Sequence, residues 1–253
     1  MKKLAALAFC AALTTCGASE PSFAGISRDA LNKQIDETNF VLDDDCSGTL
    51  IDKVNGYILT ANHCLESHFK DIEREEVDDK GVVTTKTVRV TVPGFAAQIQ
   101  FTDANEVRRV QYIYQIVARD HGMDIGLVQV KAKLPNTLTT KVACEPPQRG
   151  DTVFAVGNPF VVLYATLSKG IVSSTDRNYE MLGINEYGTN HPMTQFTAPI
   201  APGSSGGALL NEDGDLVGVT VRGGVQGTVG LAVTLSDIKT FLADQHVEAC
   251  PTP

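Results

Sequence analysis

Apolar and polar positions alternate over short stretches along most of this chain, and the few departures from that rhythm mark where it changes structure. Ser27 precedes Leu31 and Ile35, which stand one helical turn apart, so a capped helix is expected to run to about Thr38. Strands follow. Ser47 to Ile51 and Tyr57 to Thr60 read as a hairpin across Asn55-Gly56, and Val82 to Val92, Ala96 to Phe101, Val107 to Ala118 and Ile125 to Val130 continue the series. Leu134 to Gly150, carrying Pro135, Pro146 and Pro147, reads as a linker. Beyond it come Val153 to Val156, Thr166 to Ser173, Thr194 to Ala198, Ala208 to Leu210, Leu216 to Val221 and Gly230 to Val233, with Asp213-Gly214 as a turn. Helical spacing returns at Ser236 to His246, burying Ile238, Phe241 and Leu242. The charged stretch Asp71 to Lys80 reads as a solvated loop, with a substrate-selecting lid as the second reading. The class is all-β with a short C-terminal helix, and no internal repeat is evident.

The N-terminus changes where this fold is expected to work. Lys2 and Lys3 precede the apolar run Leu4 to Leu13, too short to span a bilayer, and Ser22-Phe23-Ala24 offers small residues where a signal peptidase reads. Cleavage after Ala24 and export to the periplasm or the medium are expected. Leu13-Thr14-Thr15-Cys16 is a competing lipobox that would lipidate Cys16, weakened by Thr15. Export carries Cys46, Cys64, Cys144 and Cys250 into an oxidising compartment, where four cysteines allow three pairings. Their spacing does not suit zinc, and no metal or cofactor is expected. A net charge of -9 argues against a nucleic-acid partner, which needs clustered cations.

Three sites carry chemistry. Gly203-Ser204-Ser205-Gly206-Gly207 sets a serine between glycines after Pro202, and Ala208-Leu209-Leu210 behind it is no linker composition. A serine hydroxyl is a weak nucleophile until a base takes its proton, and that base needs an orienting carboxylate. His63 ends the apolar run Gly56 to Cys64, and Asp124 opens Ile125 to Val130. His68, His121, His191 and His246 lack such settings and read as surface or structural histidines. The string Gly203-x-Ser205-x-Gly207 also fits an α/β-hydrolase elbow, with Asp215 or Asp237 and His246 completing the order. That elbow needs a strand before the serine and a helix after it, whereas prolines precede Ser205 and a strand follows.

The chain order His63, Asp124, Ser205, with these flanks, resembles the chymotrypsin-like serine proteases and, among them, the bacterial HtrA (Deg) branch. Ala155-Val156-Gly157-Asn158-Pro159-Phe160, Leu167 to Ser173 and Ala198 to Ala208 resemble further segments of that branch. The resemblance implies two six-stranded antiparallel Greek-key barrels within 25–253. The first would cover about 40–133, the linker 134–150, the second 151–235 and the helix 236–246. It implies protein or peptide substrates, His63, Asp124 and Ser205 as catalytic residues, and the Gly203 and Ser205 amides as the oxyanion hole. It puts Pro199 at the base of the primary pocket and Gly223 and Gly230 on its walls, none charged, so an apolar side chain is expected there. An inward Arg222 would instead favour an acidic one. It pairs Cys46 with Cys64, leaving Cys144 to Cys250. Two departures stand out: Ser204 replaces the aspartate used in zymogen activation by digestive relatives, and only Pro251-Thr252-Pro253 follows Cys250, so no PDZ module is expected. The rival reading is a catalytically silent binding module on the same fold.

Overall fold

The computed structural model describes residues 25–77, 83–91, 96–103, 106–135, 138–177, 191–223 and 229–250. The expected signal peptide and the lipid site at Cys16 lie outside them. Helix α1 (Arg28–Thr38) starts as its sequence requires: Ser27 Oγ accepts the Ala30 amide at 3.2 Å, and Leu31, Ile35 and Thr38 are buried. Its polar face ties distant parts together. Gln34 Nε2 donates to the Gly214 carbonyl at 2.6 Å, the Leu138 amide to Glu37 Oε2 at 2.8 Å, and Thr140 Oγ1 to Thr38 Oγ1 at 2.9 Å.

The first closed barrel is built from β1 (Asn39–Leu42), β2 (Cys46–Asp52), β3 (Tyr57–Thr60), β6 (Ala96–Asp103), β7 (Glu106–Asp120) and β8 (Ile125–Val130). The second uses β9 (Thr152–Gly157), β10 (Thr166–Arg177), β11 (Met193–Phe196), β12 (Ala208–Leu210), β13 (Leu216–Gly223) and β14 (Gly230–Thr234). Both follow one antiparallel Greek-key order, first, second, third, sixth, fifth, fourth, and close between fourth and first. Among the described residues, closure leaves neither barrel an open strand edge to template aggregation. One apolar cluster runs through both barrels and includes Phe40, Leu50, Leu59 and Leu127 from the first and Phe154, Phe196, Leu209 and Val219 from the second. The all-β double barrel with a C-terminal helix is therefore the fold of this chain.

Membership of the first barrel differs from the sequence reading. The alternating run at Val82 to Val92 does not join it. Its described part, β5 (Val83–Thr91), pairs over nine positions with β4 (Phe69–Val77) in a separate two-stranded ribbon. The stretch from Asp71, read as a loop, is thus mostly strand. Cross-strand pairs satisfy the facing backbone groups of this ribbon, while Val83 stays 56% exposed, so a β pattern alone was no proof of a buried face. The barrel place goes to β1, four buried residues too few to show a period. The C-terminal helix α2 (Leu235–Asp244) begins one residue before the expected start, because Thr234 caps it, its Oγ1 accepting the Asp237 amide, and it ends two residues before the expected end.

Two covalent ties and one buried polar cluster fasten the frame. Cys46 is bonded to Cys64 and Cys144 to Cys250, with Cα separations of 5.9 and 5.5 Å. His68, 3% exposed, sits with Asp43 and Tyr114: Asp43 Oδ2 lies 2.5 Å from His68 Nε2 and accepts the Tyr114 hydroxyl at 2.5 Å. Burial, then the bond to Asp43 and its charge, push the Tyr114 phenol well above the ordinary tyrosine range.

Two outcomes follow for stability. The Cys144–Cys250 bond closes a loop of 106 residues, and replacing both cysteines by serine is expected to lower unfolding free energy by about 4 to 5 kcal/mol in the chain-entropy model, read from urea melts. Because the fold raises the Tyr114 pKa, its contribution is complete below about pH 10 and is lost as pH rises above that value. Spectrophotometric titration should therefore leave one tyrosine protonated until the protein unfolds, and Tyr114→Phe should abolish that signature while costing about 1.5 to 3 kcal/mol at pH 7.

Candidate active site

Strand β3 ends at Thr60, and two buried residues, Ala61 and Asn62, lead into a 3₁₀ turn, His63–His68. Strand β8 pairs with β3 in register Thr60 to Gly126, so the residue just before β8 arrives beside the start of that turn. That residue is Asp124. It is 1% exposed and holds a φ of 53°, a left-handed conformation that costs a non-glycine residue energy and that the local packing enforces. Its carboxylate grips His63 three ways. Oδ1 accepts the His63 amide at 2.9 Å, and Nδ1 lies 3.1 Å from Oδ1 and 2.9 Å from Oδ2. A carboxylate can only accept, so Nδ1 carries a proton, and in the neutral imidazole that leaves the lone pair on Nε2. The ring remains 24% exposed. An outer brace joins this turn to β7: Arg119 Nη1 donates to Glu66 Oε1 at 2.9 Å, and its guanidinium stacks 3.8 Å above the Phe69 ring.

Ser205 comes from the second barrel, on the turn that precedes β12. Gly203 has φ 93° and a Cβ there would fall 2.5 Å from the Asn158 carbonyl oxygen, so only glycine fits. Four successive carbonyls of this turn are occupied. Pro202 O accepts the Phe160 amide at 2.6 Å, Gly203 O the Ser47 hydroxyl at 2.7 Å, Ser204 O the Gly207 amide at 3.0 Å and Ser205 O the Ser47 amide at 2.7 Å. In a trans peptide the N–H points away from its carbonyl, so the Gly203 and Ser205 amides face the other way. Among the described residues neither amide has an acceptor. Ser204 Oγ accepts the Ala201 amide at 3.3 Å. The Ser205 hydroxyl donates to the Val221 carbonyl at 3.2 Å, longer than the usual O–H···O bond.

The structure brings His63 and the Ser205 turn together around the Cys46–Cys64 bond. Cys64 Sγ lies 3.7 Å from the Ser205 carbonyl oxygen, and both sulfurs are within 4.8 Å of a His63 ring nitrogen. With both sulfurs bonded to each other, this cluster is no metal site. Beside Ser205 opens a cleft of about 490 Å³ lined by Ile200, Ala201, Pro202, Ser204, Val221, Arg222 and Gly223. Gly223 thus sits in the cleft. Gly230 is its register partner, yet the Phe196 ring fills the space that a side chain at 230 would take, 2.2 Å from its Cβ position. Pro199 is not in the cleft lining; its carbonyl accepts the Ser168 hydroxyl at 2.6 Å. A larger groove of about 830 Å³ lies between the β2–β3 hairpin, the linker and the C-terminal tail and contains none of these residues.

Ser47, Asn158 and Phe160 were not singled out individually from sequence, though Asn158 and Phe160 fall in a quoted segment. Their signal is weak because each acts through a backbone group of the nucleophile turn or through a fully buried hydroxyl or amide.

A family profile described as "Trypsin-like peptidase domain" matches residues 46–219. Among curated proteins, the chain is 34% identical to Serine protease HTR4 of Bos taurus over 54% of this chain and 28% of that protein. It is 31% identical to Periplasmic serine endoprotease DegP of Salmonella typhimurium over 80% of this chain and 35% of that one. The chain thus spans about a third or less of these relatives. A solved structure, the HtrA-type protease AlgW with tripeptide, superposes with a TM-score of 0.60 at 22% identity, covering 90% of this chain and 64% of the other. With the double barrel and the profile match over 46–219, the chain belongs to the trypsin-like peptidase family, and its similarity runs to the HtrA-type members.

Proposed function

We propose that this chain is an exported serine endopeptidase that cleaves peptide bonds through an acyl-enzyme. The observation that supports the reading is the grip of buried Asp124 on His63 Nδ1, which in the neutral ring leaves Nε2 as the nitrogen that can act as a base for Ser205. In the first step Ser205 Oγ leaves the Val221 carbonyl, gives its proton to His63 Nε2 and attacks the substrate carbonyl. The Gly203 and Ser205 amides receive the oxyanion. Each such donor is worth roughly 3 to 4 kcal/mol in related enzymes. His63 then protonates the leaving amine, and water repeats the sequence on the ester. Asp124 stays ionised throughout, stabilising the imidazolium.

Substrate choice is read from the cleft. Ile200 and Val221 give it apolar walls, and Gly223 leaves room beside them. A buried Lys or Arg side chain would find no carboxylate among the lining residues, so an apolar side chain on the acyl side of the cut suits it best. Arg222 also lines the cleft, and an acidic side chain is the competitor it would favour. Export is supported by the sequence of residues 1–24 and by the relatives DegP and DegQ, whose names carry the word periplasmic. Among the described residues no helix is long and apolar enough to cross a membrane.

The intact, non-reduced mass of the exported protein, taken before and after a fluorophosphonate, tests this directly. A single adduct is expected, on a chain that starts at Gly25 and lacks four cysteine hydrogens. Ser205→Ala should abolish the adduct, and His63→Ala should slow it greatly, with peptidase activity down by roughly 10⁶-fold in each. Asp124→Asn should lower kcat about 10⁴-fold through the wrong tautomer. A folded wild type that takes no adduct would instead support a silent binding module. In a peptide library, cleavage should follow apolar acyl-side residues over Arg and Lys by tenfold or more, about 1.4 kcal/mol; preference for Asp or Glu would transfer the pocket to Arg222.

A further inference from the structure

The nucleophile turn contains a conflict. Gly203 is required for its left-handed backbone, yet glycine has the least resistance to rotation of any residue, and the Gly203 amide must keep one direction for the oxyanion. Bonds within the turn hold part of it, from the Ser204 amide to the Ala201 carbonyl and from the Gly207 amide to the Ser204 carbonyl, both at 3.0 Å, and groups outside it hold the rest. Of the four occupied carbonyls, two are held by one residue of the other barrel: Ser47 donates its hydroxyl to Gly203 O at 2.7 Å and its amide to Ser205 O at 2.7 Å. These are the carbonyls of the peptides that follow the two candidate oxyanion donors.

Ser47 itself is fully buried, and its hydroxyl is used to capacity. While donating to Gly203 O it accepts the Asn158 amide at 2.8 Å and Asn158 Nδ2 at 3.1 Å. Asn158, 1% exposed, is fixed in turn: its Nδ2 donates to the Phe40 carbonyl at 2.8 Å, and its Oδ1 accepts Asn39 Nδ2 at 2.7 Å and the Ala165 amide at 3.0 Å. The hydroxyl therefore has one available direction. The carbonyl of Ser47 accepts Thr60 Oγ1 at 2.8 Å, and Ser47 follows Cys46, which is bonded to the neighbour of His63.

We propose that Ser47 is a positioning residue of the oxyanion site, aiming the Gly203 and Ser205 amides by holding the carbonyls beside them. The inference rests on the peptidase reading above and goes beyond it, since Ser47 touches no substrate atom. Without the hydroxyl, the peptide between Gly203 and Ser204 keeps only the bond from the Ser204 amide to the Ala201 carbonyl at 3.0 Å, so this peptide, which links the Gly203 amide to that of Ser205, is held on one side alone and the two amides lose their alignment. The Gly203 carbonyl points to buried Ser47, away from the cleft, whose lining does not include Gly203. The loss therefore falls on the transition state.

The test compares wild type with Ser47→Ala, Ser47→Gly and Ser47→Thr on a chromogenic peptide with an apolar acyl-side residue. The matching peptidyl boronate, whose adduct places an oxygen in the oxyanion site, and the matching reduced-amide peptide, which does not, are titrated alongside. Ser47→Ala should lower kcat roughly 10- to 100-fold, less than the full loss of a donor, with KM within about threefold. Boronate affinity should fall in proportion to kcat and reduced-amide affinity should not. Ser47→Gly keeps the amide bond to Ser205 and gives the same readout if Ser47→Ala does not fold; Ser47→Thr, which retains a hydroxyl, should recover most of kcat. A variant with lowered Tm but near wild-type kcat and boronate affinity would make Ser47 merely structural and overturn the proposal. A wild type that neither cleaves nor takes the fluorophosphonate would remove the peptidase reading, and this inference with it.

Discussion

The seam between the barrels depends on a handful of buried hydrogen bonds, and the candidate site is assembled on them. Asn158 stands at the end of β9 in the second barrel, but four of its bonds, one each to Asn39 and Phe40 and two to Ser47, reach into the first. A buried amide left unpaired is costly, so these partners fix how the barrels meet far more narrowly than apolar contact could. Apolar surfaces slide; a primary amide with all its partners supplied does not. The His63 turn rides on one side of that seam and the Ser205 turn on the other.

This division explains which parts of the site hold themselves and which are held. Asp124 just precedes β8 and His63 opens the turn that follows β3, and because those two strands pair, their bonds are local to the first barrel. The Ser205 turn has no such independence. Its strand β12 has three residues, and it relies on Phe160 from its own barrel and Ser47 from the other to set its carbonyls. The Cys46–Cys64 bond lies where the two arrangements meet, adjacent in sequence to both Ser47 and His63.

Much of this was legible in the chain, for reasons that differ by element. The second barrel could be read because its strands are apolar runs separated by glycine, proline and Asp-Gly turns. In the first barrel the strand count could be read but one member could not. Val83 to Thr91 has the stronger alternation, yet pairing with β4 satisfies it outside the barrel, while Asn39 to Leu42 is buried throughout and shows no period. The duplicated strand order came only with the family resemblance, because topology is kept by which edges meet and leaves no repeated residues. Within the site, Ser205, His63 and Asp124 announce themselves by residue type and flanks. Gly230 looked like pocket wall, but a glycine says only that space is needed, and here the Phe196 ring takes it. Ser47 gave no signal at all, since its role depends on a partner 156 residues away.

Splitting the constellation between two barrels also has a consequence in time. During synthesis the first barrel emerges with His63 and Asp124 in hand and no serine between glycines to serve, and Ser205 follows only after the first three strands of the second. Neither half is a hydrolase alone. On the reading proposed for this chain, chemistry begins at the moment of docking, so a nascent or misassembled molecule is inert toward itself and its neighbours, and competence arrives all at once with the closed seam.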